Sequence, residues 1–260
     1  MVVGLDRFRE HFKDHTDRYV LIGGVATQLA LQEAGLAFRP TKDLDIVLLA
    51  EALDAEFVGR FWEFVRLGEY TVRERGGAGP DEPAPPRCLY RFKKPRQADF
   101  PAMLELFSRV PDSVAYEEPG DLVPIPADED ISSLSAVLLD KDYYSLVLQH
   151  RTARHGLPVL AEAALIPLKA RAWIDLSRRK AEGQEVDAHN IRKHATDILR
   201  LSLLLSPTTR VEVTATVRND MSGFLAGVRP TLEERFKVEG FGKLNVSEAL
   251  ARIAAAYGLA

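Results

Sequence analysis

The 260-residue sequence predicts an α+β chain in two parts, a mixed sheet with flanking helices over residues 1–140 and a mainly helical domain over residues 141–260. Three observations carry this. Through the first half, short apolar runs stopped by glycines alternate with stretches of helical spacing. From Asp140 onward the apolar residues keep the 3.6-residue period of helices. With 46% hydrophobic residues, the chain has enough apolar surface for one large core or two modest ones.

In chain order, Leu5, Phe8 and Phe12 are spaced as one helical face over residues 5–13, with Asp6 near the positive end of that helix. Tyr19-Val20-Leu21-Ile22 reads as a strand stopped by Gly23-Gly24. Residues 25–33 follow as a helix with Ala26, Leu29 and Ala30 on one side. After Gly35, residues 43–49 read as a buried strand entered through two acids. Phe57, Phe61, Phe64 and Val65 then mark a helix over residues 54–67. The stretch 76–86 is a glycine- and proline-rich loop, and strands are predicted at 88–92, 102–107, 122–125 and 134–138. Beyond these, helices are predicted at 143–154, 162–179, 190–205, after Pro207, and at 247–257.

Bulk properties narrow the function classes. A lone cysteine, Cys88, forms no internal disulfide and stands in no metal-ligand spacing, which suits a reducing compartment and argues against zinc. His150, His189 and His194 lack the spacing of a metal site too. The charged opening residues are unlike a signal peptide, and no apolar stretch is long enough for a bilayer, so a cytoplasmic protein without a membrane partner is expected. The net charge of -4 gives no whole-molecule pull on a polyanion, while leaving room for a local basic face. Neither a nucleophile elbow nor a P-loop occurs.

The residues that suggest chemistry are acids. In Asp43-x-Asp45 at the head of an apolar strand, both side chains fall on one side, because strand side chains repeat every two residues. Gly23-Gly24 ahead of a helix lets backbone approach a ligand closely and turns amide groups toward an anion. Glu105 interrupts the apolar run Leu104 to Phe107 and would be costly if buried alone. It reads either as a third carboxylate over the same cleft or as a charge paired across strands with Arg91 or Lys93. Three carboxylates suit magnesium, which takes hard oxygen ligands and leaves coordination positions for substrate phosphates. Lys169, among Leu165, Leu168 and Ala172, reads either as a phosphate ligand or as a lysine snorkelling from a helix boundary. Arg178-Arg179-Lys180 reads as a solvated helix end favoured by the helix dipole.

Taken in order, Ile22-Gly23-Gly24-Val25-Ala26-x-x-Leu29, Arg39-Pro40-Thr41-Lys42-Asp43-Leu44-Asp45-Ile46, Leu104-Glu105-Leu106-Phe107 and Leu168-Lys169-Ala170-x-Ala172 resemble the nucleotidyltransferase superfamily related to DNA polymerase β. Within it they resemble the AbiEii/AbiGii-like toxin group of type IV toxin-antitoxin systems. The resemblance spans residues 19–175 and implies a nucleotidyltransferase fold for the first part. It implies that Gly23 and Gly24, with Thr41 and Lys42, bind a nucleoside triphosphate, and that Asp43 and Asp45 bind Mg2+ or Mn2+. Glu105 would complete the metal site or act as base, and Lys169 would touch the phosphates. The family's late acidic motif maps onto Asp197 for nucleotide binding, with Asp187 and His194 as alternatives, since Lys193-His194 stands where relatives carry a basic residue followed by Asp. The spacing of eighteen residues between Gly24 and Asp43 is longer than in many polymerase-like members and similar to the toxin-like group.

The expected activity is transfer of a nucleoside monophosphate from a nucleoside triphosphate to a hydroxyl, with an RNA end, especially tRNA, or a protein as acceptor and a cognate antitoxin as partner. Modification of a small molecule of the aminoglycoside type is one alternative. A catalytically silent nucleotide-binding module is another, against which the three acids argue.

Overall fold

The computed structural model describes residues 2–39, 41–49, 52–71, 73–74, 89–108, 122–123, 140–232, 235–238 and 242–259. In chain order the elements are α1 (Leu5–His11), β1 (Tyr19–Leu21), α2 (Gly23–Glu33), β2 (Asp43–Leu48), α3 (Ala55–Leu67), β3 (Arg73–Glu74), β4 (Leu89–Lys93), β5 (Met103–Phe107) and β6 (Leu122–Val123). They continue with α4 (Lys141–Gln149), β7 (Arg151–Arg154), β8 (Leu157–Leu160), α5 (Glu162–Ala181), α6 (Ala188–Leu201), α7 (Ala215–Val228), β9 (Arg235–Val238), β10 (Gly242–Asn245) and α8 (Val246–Tyr257). The chain is thus mixed α+β. It forms two units, each drawn from separate stretches: Met1–Val25, Pro40–Asp130 and Ala153–Val159, and Ala26–Arg39, Ile131–Thr152 and Leu160–Ala260.

Among the described residues, six strands form a mixed sheet in the order β4-β5-β2-β1-β8-β7. β2 runs parallel to β5 and antiparallel to β1, and β4 runs antiparallel to β5. Period-two alternation decides the two faces of the central strands. Leu44, Ile46, Leu104, Leu106 and Phe92 are essentially sealed from solvent on one face, which leaves Asp43, Asp45 and Glu105 on the other.

Aromatic side chains from α1, β1 and α3 build the core of the first unit. The Phe12 ring sits 4.5 Å from Phe8, 5.4 Å from Phe64 and 5.8 Å from Phe57, centroid to centroid. These spacings favour edge and tilted packing over face-to-face stacking. α3 starts where its cap permits. The Asp54 side chain accepts from the Phe57 amide at 2.8 Å, and Phe57, Phe61, Phe64 and Val65 are buried as their spacing predicts.

The helix expected over 143–154 ends earlier, at Gln149. Its place is taken by a β-hairpin, with β7 and β8 joined through His155 and Gly156 at φ of 51° and 75°. Two consecutive positive φ values are what a tight two-residue hairpin turn requires. Gly156 supplies one of them without strain, and His155, as a non-glycine residue, occupies the other. Leu157–Leu160 is buried throughout, so its burial in the sheet outweighs the helical spacing upstream. The last turn of the helix expected over 190–205 is a 3-10 segment, Ser202–Leu204. The β9–β10 hairpin has no counterpart among the sequence expectations. The loop at 76–86, Cys88, residues 124–125 of one expected strand and the strand at 134–138 lie outside the described residues. No helix among the described residues is long and apolar enough to cross a membrane.

The second unit packs helices, with Trp173 of α5 meeting Phe224 of α7 edge-on at 5.4 Å. Pro167 lies inside α5, and a proline there supplies no N–H to the carbonyl four residues back. That carbonyl belongs to Ala163, and the Tyr257 hydroxyl of α8 donates to it at 2.7 Å. A break in the helix ladder thereby becomes a tie between α5 and α8. Tyr257→Phe is expected to cost about 0.5–1.5 kcal/mol in urea unfolding, the net worth of one hydrogen bond, here to a half-buried carbonyl. In a Pro167→Ala background the helix supplies its own donor, so a double-mutant cycle should show a smaller loss.

Candidate functional site

In the first unit the β2–β5 register puts Asp45 beside Glu105, and the β4–β5 register puts Arg91 beside Glu105. The three side chains form one row across three strands. Arg91 Nε donates to Glu105 Oε1, and both residues are buried. Glu105 therefore makes the cross-strand pair with Arg91 that its spacing allowed, while standing beside Asp45 on the neighbouring strand.

That arrangement strains the charge of Asp45. Burial first, and then the nearby charges of Glu105 and Asp43, push the Asp45 carboxyl up to about 8. Burial disfavours its charged form, and a like charge disfavours it further. Burial and the neighbouring carboxylates thus favour the protonated form of Asp45.

The glycine turn is shaped around the same acid. Gly23 has a φ of +62°, and a Cβ there would stand 1.8 Å from Asp45 Oδ2. The Gly24 amide donates to Asp45 Oδ2 at 3.4 Å, and a Cβ on Gly24 would meet Thr41 Oγ1 at 2.8 Å. Glycine at both positions thus admits the chain's own Asp45 and Thr41 against the start of α2. Lys42 is exposed next to Asp43.

Asp43 and Asp45 offer hard oxygen donors on one face of the sheet, the donor type that magnesium takes. These two fit a divalent ion. Glu105 is committed to Arg91, and among the described residues no three His, Cys, Asp or Glu side chains come together as a ready-made metal site. Glu105 would have to loosen its hold on Arg91 to serve as a third ligand.

The second unit contains the later candidates. Lys169 on α5 is buried to 2% exposure, so it does not snorkel; its Nζ donates to Asp197 Oδ2 of α6 at 2.9 Å. Asp197 is fully buried and also faces Arg39 at 3.4 Å and Arg200 at 3.6 Å. Burial alone would raise the Asp197 pKa, but Lys169 and Arg39 hold it below the ordinary carboxylate value. The Arg39 guanidinium lies over the Phe38 ring at 5.1 Å, and the Arg39 Nε is buried without a hydrogen-bond partner. Three cations meet one carboxylate, a charge excess suited to an anion.

The alternatives to Asp197 have other work. Asp187 caps α6, accepting from the His189 amide at 2.8 Å. Burial, followed by the charge of Lys169, pushes His194 down to about 3, so its ring is neutral at physiological pH. Sequence reasoning gave no role to Arg39 or Arg200. The Asp197-x-x-Arg200 spacing was the available signal, since residues three apart on a helix are neighbours.

The structure thus brings Asp45 together with Glu105, Gly23 and Gly24, and brings Lys169 together with Asp197. Compared with protein-family models, curated proteins and solved structures, the chain matches none.

Lys169→Met should destabilise the second unit by about 3–5 kcal/mol in chemical unfolding, because it leaves a buried charge without its closest partner. Adding Asp197→Asn should restore much of the loss. A second outcome concerns pH. His194 binds a proton near 6.5 when unfolded and only near 3 when folded, so lowering pH through that interval favours the unfolded state. Asp197 adds in the same direction at lower pH, since its stabilising charge is lost as pH falls below the unfolded value of 3.8 and through its lower folded value. Thermal melts should therefore fall on acidification below pH 6.5, and His194→Asn should flatten the upper part of that fall.

Proposed function

We propose that this chain is a metal-dependent nucleotidyltransferase of the nucleotidyltransferase fold, moving a nucleoside monophosphate from a nucleoside triphosphate to a hydroxyl and releasing pyrophosphate. One observation carries the reading. Asp45, a half-buried carboxylate pushed up to about 8, lies against a glycine turn at a helix start and beside a second carboxylate on the neighbouring strand. Such a group is stabilised in its charged form by a divalent cation, and a glycine turn at a helix start suits phosphate.

In this reading Asp43 and Asp45 hold Mg2+ or Mn2+, which would screen the charge that develops on the phosphate oxygens. The amides of the Gly23-Gly24 turn, with Thr41 and Lys42, hold the triphosphate. Glu105, oriented by Arg91, takes the proton of the incoming hydroxyl or turns toward the metal as a further ligand. Within the second unit, Asp197 holds Lys169 and Arg39, and the resemblance assigns Lys169 a phosphate contact. The resemblance to the toxin group supports an RNA end, especially of tRNA, or a protein hydroxyl as acceptor, and a cognate antitoxin as partner.

A second reading, a nucleotide-binding module without turnover, draws support from the Arg91–Glu105 pair, which occupies the carboxylate that catalysis would use. Incubation with magnesium, each labelled nucleoside triphosphate and total RNA, followed by gel analysis of RNA and protein, separates the two. Label on either acceptor with the wild-type chain, lowered more than about a hundredfold in Asp45→Ala, is the expected result. Binding of magnesium and triphosphate with no label on any acceptor would favour the silent module. A thermal melt of Asp45→Ala separates lost chemistry from lost fold.

A further inference from the structure

On the face of the sheet that carries Asp45, Glu105 and Arg91, the next row toward the start of β2 is Asp43, Met103 and Lys93, paired across the same three strands. Two residues along a strand is about 7 Å, so the two rows are neighbours. All three residues of this second row line a cleft of about 610 Å³. Lys42, Lys94 and Phe100 line it as well. Its size falls within the range of about 300–1,000 Å³ typical of ligand pockets.

Three lysines and one carboxylate thus line a single cleft. Lys42 and Lys94 are exposed, and Lys93 is half-buried. Lys94 is held at a φ of +53° directly before Pro95. A side-chain-bearing residue pays for that left-handed conformation, and such costs recur where a chain aims a side chain at a ligand. The whole-chain charge of -4 does not account for a local concentration of lysines, whereas a ligand rich in phosphate does.

We propose that Lys42, Lys93 and Lys94 form a phosphate-binding subsite in this cleft, taking the phosphate oxygens of either a nucleoside triphosphate or a nucleic-acid chain. The subsite gives the carboxylate row beside it a phosphate-bearing neighbour, a placement that rests on the proposed transferase reading. Its ligand binding does not depend on that reading.

The test measures binding without magnesium and without turnover, using two probes: a fluorescent single-stranded oligoribonucleotide of about twelve nucleotides, and a fluorescent adenosine triphosphate. Lys93→Glu/Lys94→Glu should weaken at least one probe by roughly tenfold or more, and Lys93→Gln/Lys94→Gln should weaken it less in the same direction. Lys13→Glu, outside the cleft, should leave both unchanged. Loss confined to the oligoribonucleotide, with the slope of log affinity against log salt shallower by about 1.4, identifies a nucleic-acid chain. Loss confined to the triphosphate identifies the nucleotide. If both probes bind the two double variants as they bind wild type, or if Lys13→Glu weakens them as much, the subsite is overturned. Thermal melts confirm that the variants are folded. An intact subsite with no label transfer in the activity assay would fail the transferase reading alone.

Discussion

Parallel pairing of β2 with β5 sets Asp45 against Glu105, and much of the first unit answers the charge of that pair. The opposite face of both strands is sealed by Leu44, Ile46, Leu104 and Leu106, so neither carboxylate can turn away from the other without exposing apolar surface. Arg91 neutralises one of them from the adjoining strand. The other accepts from the Gly24 amide, and glycine at position 23 leaves room for it. Two neighbouring carboxylates away from water are expensive unless one is paired and the other favours its neutral form, which is the division of roles between Glu105 and Asp45.

The second unit has the reverse imbalance. Asp197 is wholly buried and faces Lys169, Arg39 and Arg200 together, while His194 nearby is kept neutral by burial. A carboxylate in that position acts as an anchor, since its own oxygens are out of reach of solvent. What it holds in place is positive charge from α5, from α6 and from the segment that ends at Arg39. The α5 helix that carries Lys169 is itself secured one to two turns earlier, at Ala163, where the Tyr257 hydroxyl meets the carbonyl freed by Pro167.

Much of the fold was legible because its signals are local. The alternation in β2 and β5, the Asp54 cap and aromatic period of α3, and the helical spacing of α5 and α6 each depend on residues a few positions apart. The β7–β8 hairpin was misread for the same reason. A helical period upstream ran on past His150 into Arg151–Arg154, and only pairing with β1 commits Leu157–Leu160 to a sheet. At the site, the pattern of two acids and the lone Glu105 stood out as polar residues in apolar runs. Arg39 and Arg200 did not, because arginines are ordinary in any sequence: Arg200 stands three residues from Asp197 on one helix, and Arg39 reaches it from a segment far away in the chain.

By itself, the sequence determined which residues carry unusual chemistry: Asp43, Asp45 and Glu105 among strand apolars, a glycine pair before a helix, and a lysine on an apolar helix face. It could do so because a charge in an apolar run costs free energy wherever the chain takes it. Only the tertiary structure decided the partners: Glu105 with Arg91 and Asp45, Lys169 with Asp197, and Lys93 in one cleft with Lys42 and Asp43. Strand order and register are set by packing between segments far apart in the chain, and the electrostatics of each acid follows from whichever neighbour that packing supplies.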